Sequence, residues 1–137
     1  MKNIFEEFLT KLRLIKNNNR ATVIFLWGNL GSGKTTFTKN LCKYLDIKAD
    51  ITSPTFNIIK KYPFDLEGFK YLIHIDAYRL NSYEDLLKIK FEEYLNDKNN
   101  LMFIEWPSVI EDGGLKPDMD MKFDYIENID DRIIEIK

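Results

Sequence analysis

The sequence has few of the features that are typical of an extracellular, membrane or nucleic-acid-binding protein. It contains one cysteine, Cys42, so it forms no internal disulfide, and this favours a reducing compartment. The 20 lysines and arginines are balanced by 22 acidic residues, so the chain lacks the positive charge of a dedicated nucleic-acid-binding protein. No apolar run is long enough to span a membrane, and acidic residues interrupt the apolar pattern of the N-terminal segment, unlike a signal peptide. We therefore expect a cytoplasmic protein without membrane association.

Glycine is also scarce, and half of it lies in one short segment. Of six glycines, Gly28, Gly31 and Gly33 fall within GNLGSGKTT, which directly follows the apolar run ATVIFLW. The spacing G-x-x-x-x-G-K-T is that of a Walker A loop between a strand and a helix. Glycines allow successive backbone N–H groups to curl around a phosphate, and the helix that follows directs its positive dipole end to the same point.

This motif predicts the nucleotide-binding residues. Lys34 is expected to reach the β- and γ-phosphates, the Thr35 hydroxyl to bind Mg²⁺, and Thr36 to lie near the α-phosphate. No guanine-reading N-K-x-D motif occurs in the sequence, so ATP is favoured over GTP. The residues expected to surround the phosphates are Asn29, Leu30, Gly31, Ser32, Gly33, Lys34, Thr35 and Thr36.

Two apolar runs end in an acidic residue. YLIHID ends in Asp76, and LMFIEW contains Glu105. A magnesium nucleotide needs a carboxylate at a neighbouring strand end, and a second one can orient or deprotonate water. We expect Asp76 to be a metal ligand, whereas Glu105 is either a metal ligand or the group that activates water. Lys34, Asp76 and Glu105 are thus the predicted catalytic residues.

Four further residues have two interpretations each. His74 shares a strand face with Asp76, and a packed, hydrogen-bonded histidine is favoured over one coupled to the site. Thr55, in TSPTF, either senses the γ-phosphate or belongs to a simple turn. Trp106 either covers the nucleotide or a partner interface, or caps the core. For Arg79 a structural salt bridge is favoured over a role as an arginine finger.

The pattern of the chain predicts one α/β domain over residues 1–137. Apolar periodicity predicts helices over residues 4–15, 34–46 and 82–95, the last with Ser82 as its N-cap. Strands are expected at residues 21–27, 56–64, 69–76 and 101–106, followed by a C-terminal hairpin from Met119. We expect a P-loop NTPase-like domain whose mixed sheet is parallel at its centre, antiparallel at its edges and flanked by helices.

The segments GNLGSGKTTFTKNL, SPTFNIIKKY, HIDAYRL and FIEWP, in this order, resemble the TsaE (YjeE) family of small bacterial P-loop ATPases. The resemblance covers residues 25–114. It implies a slow ATPase of tRNA threonylcarbamoyladenosine biosynthesis that supports turnover of TsaB and TsaD, with tRNA contacted through those partners. It also implies that Thr55 belongs to a switch-like segment, and that Glu105 and Trp106 lie near nucleotide and partner. Members usually carry a glycine near the middle of the helix after DAYRL, where this chain has LLKIKFEEYL.

Two other functions remain open from the sequence. The chain could be an adaptor whose ATP state controls docking while hydrolysis is incidental. It could also be a small phosphotransferase, although a lid and an arginine-rich acceptor site are missing from the sequence.

Overall fold

The computed structural model describes residues 2–28, 33–46, 58–78, 80–88, 90–124 and 133–136. Its helices are α1 (Lys2–Ile15), α2 (Lys34–Tyr44), α3 (Tyr83–Leu87), α4 (Phe91–Leu95) and α5 (Ser108–Asp112). Its strands are β1 (Thr22–Trp27), β2 (Ile59–Leu66), β3 (Phe69–Asp76), β4 (Asn100–Glu105), β5 (Met119–Asp124) and β6 (Ile133–Ile136). None of the described helices is both long enough and apolar enough to cross a lipid bilayer.

The six strands form one mixed sheet in the order β2-β3-β4-β1-β5-β6. Strands β3, β4, β1 and β5 run parallel, and the outer pairs β2–β3 and β5–β6 are antiparallel. The central strands β1 and β4 are buried along nearly their whole length, as their continuous apolar sequences predict. The expected fold class is confirmed, and the carboxyl ends of four parallel strands meet at one edge of the sheet.

Helices α1 and α2 cover one face of the sheet, and aromatic rings fix their positions. The ring of Phe8 in α1 lies edge-on to Phe37 of α2 at 5.7 Å and to Phe103 of β4 at 5.8 Å, between centroids. Phe37 also packs edge-on against Phe123 of β5 at 5.6 Å. Each fully buried phenylalanine contributes about 2–3 kcal/mol of transfer free energy. This cluster therefore anchors the first turn of α2, which begins with Lys34.

The hairpin β2–β3 is tighter than the predicted strand ends imply, since these leave residues 65–68 between the two strands. Asp65 and Leu66 continue β2, and only Glu67 (φ 51°) and Gly68 (φ 87°) form the connection. Two consecutive residues with positive φ are typical of a type I′ turn, whose twist matches that of the flanking strands. The predicted start of this strand, residues 56–57, lies outside the described residues.

The single helix predicted over residues 82–95 is wrong, because the chain forms α3 and α4 with a break between them. The start is as expected, since the Ser82 hydroxyl accepts a hydrogen bond from the Asp85 N–H at 3.3 Å. The break is at Lys90, which has φ 65° and precedes α4. On a continuous helix Leu86 and Phe91 would point about 140° apart. The break allows both to be fully buried, and this gain in apolar burial opposes the strain at Lys90.

The segment between β4 and the C-terminal hairpin, for which the sequence predicts no helix, contains a short helix. Pro107 precedes α5, and Ile110 of this helix is fully buried in the core cluster beneath α3 and α4. Five residues carry too little periodicity for a helix to be recognised from the sequence. The helix turns the chain away from the sheet edge immediately after Glu105 and Trp106.

Candidate nucleotide and magnesium site

Lys34 is the first residue of α2, at the carboxyl edge of the sheet. Gly33 precedes it with φ 102°, a left-handed conformation in which glycine avoids the strain of a side chain. Only 5% of Lys34 is exposed, and its Nζ donates a hydrogen bond to the carbonyl oxygen of Gly28 at 2.5 Å. The predicted Walker A lysine therefore lies against the carboxyl end of β1, from which the loop departs.

The two predicted carboxylates lie side by side. Asp76 ends β3, Glu105 ends β4, and the two residues are paired across the parallel ladder. Glu105 is 5% exposed, and Asp76 is half-buried and accepts a hydrogen bond from the Tyr78 N–H at 3.0 Å. The register of the strands thus brings together two acids that are 29 positions apart in the sequence.

The charges of the site perturb one another. Burial raises the pKa of the Asp76 carboxyl, and the charge of Glu105 adds to the rise, whereas the Tyr78 N–H, His74 and Lys34 oppose it. Burial lowers the pKa of Lys34, and the charges of Glu105 and Asp76 oppose that shift. Two carboxylates and one ammonium group therefore interact electrostatically, and Lys34 and Glu105 are almost completely buried. Such a combination is typical of a functional site.

Trp106 covers the lysine. The Lys34 Nζ lies 3.8 Å from the centroid of the indole, within cation–π range. Trp106 has φ 58°, a conformation that strains a bulky residue, and its ring packs against exposed Tyr78 at 4.9 Å between centroids. The structure thus brings Trp106 to the predicted phosphate-binding group. Its role toward nucleotide or partner stays a prediction.

His74 contacts the site directly. Its ring is fully buried, and Nε2 lies 2.5 Å from Oε2 of Glu105. The favoured interpretation, a packed and hydrogen-bonded strand histidine, holds, but its partner is the predicted catalytic acid. From the sequence, strand alternation places His74 on the same face as Asp76. Its contact with Glu105 can be recognised only once the pairing of β3 with β4 is known.

Several predicted residues lie where the structure makes no statement. Asn29, Leu30, Gly31, Ser32, Thr55 and Arg79 lie outside the described residues. Thr35 is the second residue of α2, but its side chain is not among the parts described. Thr36 follows it and is exposed.

The carboxylates of the site could supply only some of the ligands that a metal ion needs. Across the described ranges, no group of three or more His, Cys, Asp or Glu side chains has the arrangement of a metal site. Asp76 and Glu105 are suited to Mg²⁺, which usually takes one or two carboxylates and completes its shell with water and phosphate oxygens. A small cavity of about 210 Å³ adjoins the same edge and is lined by Leu26, Trp27, Gly28, Trp106, Pro107 and Ser108.

Comparison with known families decides the family of the chain. A family model described as "Threonylcarbamoyl adenosine biosynthesis protein TsaE" matches residues 3–134. The chain belongs to the TsaE family. The resemblance that the motifs indicate over residues 25–114 is confirmed, and the match extends over nearly the whole chain.

Individual TsaE relatives show the same likeness. Proteins named tRNA threonylcarbamoyladenosine biosynthesis protein TsaE match from Haemophilus influenzae, with 31% identity over 134 residues, and from Rickettsia conorii, with 36% over 107 residues. The Haemophilus match covers 96% of this chain and 77% of that protein. The Rickettsia match covers 77% of this chain and 58% of that protein. The crystal structure of Bacillus subtilis YdiB superposes with a TM-score of 0.60 at 27% identity, covering 95% of this chain and 77% of that one.

Proposed function

We propose that this TsaE family member is a Mg²⁺-dependent ATPase that supports tRNA threonylcarbamoyladenosine biosynthesis in the cytoplasm together with TsaB and TsaD homologues. The observation that carries the proposal is the placement of Lys34 at the start of α2, electrostatically coupled to Asp76 and Glu105. The biological setting is supported by the names of the relatives. The slow intrinsic rate implied by the resemblance is part of the proposal.

Lys34 is the residue proposed to bind the β- and γ-phosphates. Its ammonium group already lies at the carboxyl end of β1, where its Nζ bonds to the Gly28 oxygen. A phosphate would replace that carbonyl as its acceptor, and the bond from an ammonium group to an anionic phosphate oxygen is stronger than the bond to a neutral carbonyl. Backbone N–H groups of the loop before α2 would also donate hydrogen bonds to the phosphates.

The two carboxylates are proposed to divide the remaining work. Asp76, with Thr35, would hold Mg²⁺, which when bound neutralises charge on the phosphate oxygens. Because Glu105 is more deeply buried than Asp76, its carboxylate has a fixed surrounding in which it can orient or deprotonate the attacking water. Either carboxylate could serve the metal.

A partner is proposed to complete the site. Of the described arginines, Arg13 pairs with Glu67 and Arg20 pairs with Asp118, so both are engaged by other residues. An arginine supplied by another chain commonly raises hydrolysis in P-loop proteins by about 10³-fold or more. The balanced charge of the chain, −2 overall, also favours tRNA binding through the partners rather than by this chain.

The direct test mixes the chain with the TsaB and TsaD homologues of its own organism and measures phosphate release. The proposal expects complex formation with ATP and a rate increase of about tenfold or more over the chain alone. Lys34→Ala should abolish the increase, whereas Lys39→Ala, an exposed lysine on the same helix, should retain it. An unchanged rate, together with no complex in the presence of ATP, would overturn the proposal.

The variant Glu105→Gln distinguishes the adaptor hypothesis from the proposed ATPase function. An adaptor would lose hydrolysis in this variant, retain ATP binding and still support tRNA modification. An ATPase would lose modification together with hydrolysis. A phosphotransferase is tested by γ-labelled ATP in cell extract, because it would place the label on an acceptor, whereas an ATPase releases it only as phosphate.

A further inference from the structure

The hydrogen bond between His74 and Glu105 joins the proposed catalytic glutamate to a buried residue of the neighbouring strand. His74 lies on β3 two residues before Asp76, and Glu105 is the pairing partner of Asp76 on β4. The imidazole therefore reaches diagonally from β3 to the acid on β4, where Nε2 and Oε2 are 2.5 Å apart. Both side chains are almost completely buried, with 0% and 6% exposed.

The proposed role of Glu105 sets the direction of the bond. A glutamate that orients or deprotonates water acts as an ionised carboxylate, which only accepts hydrogen bonds, so in this role the imidazole donates through a hydrogen on Nε2. Nδ1 is buried, and it has no hydrogen-bond partner among the described residues. A buried polar atom without a partner is destabilising. A leucine or phenylalanine would avoid that cost, so the contact with Glu105 is what the imidazole contributes at this position.

A contact of this kind limits the freedom of the acid. A glutamate side chain rotates about three bonds, and ordering one of its oxygens fixes the direction of the whole carboxylate. Glu105 ends its strand immediately before the strained residue Trp106. The backbone at this position does not by itself select one rotamer of the Glu105 side chain. Reactions that depend on an oriented base are sensitive to small displacements of that base.

We propose that His74 is a positioning residue that holds the Glu105 carboxylate in the orientation needed for ATP hydrolysis. The inference rests on the proposed ATPase function. His74 acts through Glu105 and contacts neither the nucleotide nor the metal. Its loss should therefore lower kcat and leave nucleotide affinity nearly unchanged.

The kinetic test compares His74→Leu, which removes the donor, with His74→Gln, whose amide N–H₂ can take the place of Nε2–H. For His74→Leu we expect kcat to fall about tenfold to a hundredfold, with KM and the Kd for Mg–ATP changed less than about twofold. His74→Gln should recover kcat to within about threefold of wild type. An unchanged kcat in His74→Leu, or an effect on KM alone, would overturn the proposal.

A double-variant comparison separates positioning from general damage to the fold. When Glu105→Gln has already removed the carboxylate, His74→Leu should lower kcat no further, because the two residues act as one unit. Equal losses in the wild-type and Glu105→Gln backgrounds would contradict the proposal. Thermal unfolding of each variant shows whether it is folded at the assay temperature.

Nuclear magnetic resonance of the ring tests the contact without any turnover. The chain contains one histidine, so ¹⁵N–¹H correlations of its imidazole need no assignment. We expect a proton on Nε2 that exchanges slowly with water, and a marked shift of that proton in Glu105→Gln. A ring without an Nε2 proton, or one insensitive to Glu105→Gln, would overturn the inference. If wild type neither binds nor hydrolyses ATP, the proposed function fails, and this spectrum still decides the contact.

Discussion

Asp118 holds the amino ends of β1 and β5 together, and its replacement by alanine should be costly. Oδ2 accepts hydrogen bonds from the Arg20 guanidinium at 2.9 Å and from the Val23 N–H at 2.8 Å. Oδ1 lies 3.4 Å from the amide nitrogen of Asn17. The Asp118 N–H in turn donates to the Val23 carbonyl at 2.8 Å. One side chain therefore fixes the start of the strand that leads to the phosphate-binding loop.

The expected loss follows from these contacts. A buried N–H without a partner costs about 1–3 kcal/mol, and a hydrogen bond to a charged group is worth about 1.5–3 kcal/mol. The ion pair is partly exposed, with 24% of Arg20 and 16% of Asp118 accessible, so its share is reduced by solvent screening. We expect Asp118→Ala to lower the free energy of unfolding by about 3 kcal/mol, and Asp118→Asn by about half as much, because the amide oxygen still accepts from Val23.

Urea denaturation followed by circular dichroism measures both losses. Arg13→Gln is the matched control, because Arg13 and Glu67 are also 2.9 Å apart but the arginine is 55% exposed. An exposed pair of this kind is worth about 0–1 kcal/mol. If Asp118→Ala costs no more than Arg13→Gln, burial and the Val23 bond do not stabilise the strand ends as described, and the reasoning is refuted.

Three further predictions concern stability and reactivity. Lys90→Gly should raise the free energy of unfolding by about 0.5–1 kcal/mol, since glycine removes the strain at φ 65° at the cost of more unfolded-state entropy; a destabilised variant in thermal melts would contradict the left-handed assignment. Gly113→Ala should destabilise by about 1–3 kcal/mol, because a Cβ there would lie 2.5 Å from Cγ of the Tyr83 ring; an unchanged melting temperature would count against this packing. Burial raises the pKa of the Cys42 thiol to about 11, so alkylation at pH 8 should be at least about 100-fold slower in the folded chain than in urea. Because that pKa is raised from 9.0, the thiol contributes to the free energy of unfolding, fully below pH 9, and this contribution is lost as the pH rises through 11. Rapid alkylation of the folded chain, or a free energy of unfolding that stays constant between pH 9 and 11, would contradict the burial of the Cys42 thiol.

The fold was largely predictable because its central elements have one-dimensional signals. β1 and β4 are continuous apolar runs, and α2 combines the glycine loop with apolar residues at helical spacing, so their types and approximate ends are confirmed. The break at Lys90 was not predictable in this way, because a lysine carries no signal for a positive φ. It follows from the tertiary need to bury Leu86 and Phe91 together.

The sequence indicates single residues of the candidate site but not how they pair. The sequence marks Asp76 and Glu105 separately as acids that end apolar strands, and the strand register places them side by side. The bond from His74 to Glu105 depends on the same register and on two rotamers, neither of which is written in the local sequence. The roles of Lys34 and the two carboxylates in catalysis stay predictions.

Equilibrium binding of Mg–ATP to the wild type and to Lys34→Ala is the measurement that bears most directly on the proposed nucleotide site. Titration calorimetry should show binding of ATP by the wild type, weaker binding of GTP, and at least about a tenfold loss of ATP affinity in Lys34→Ala. Lys39→Ala should bind as the wild type does. Equal ATP affinity in the wild type and Lys34→Ala, or no ATP binding by the wild type, would contradict a nucleotide site built around Lys34.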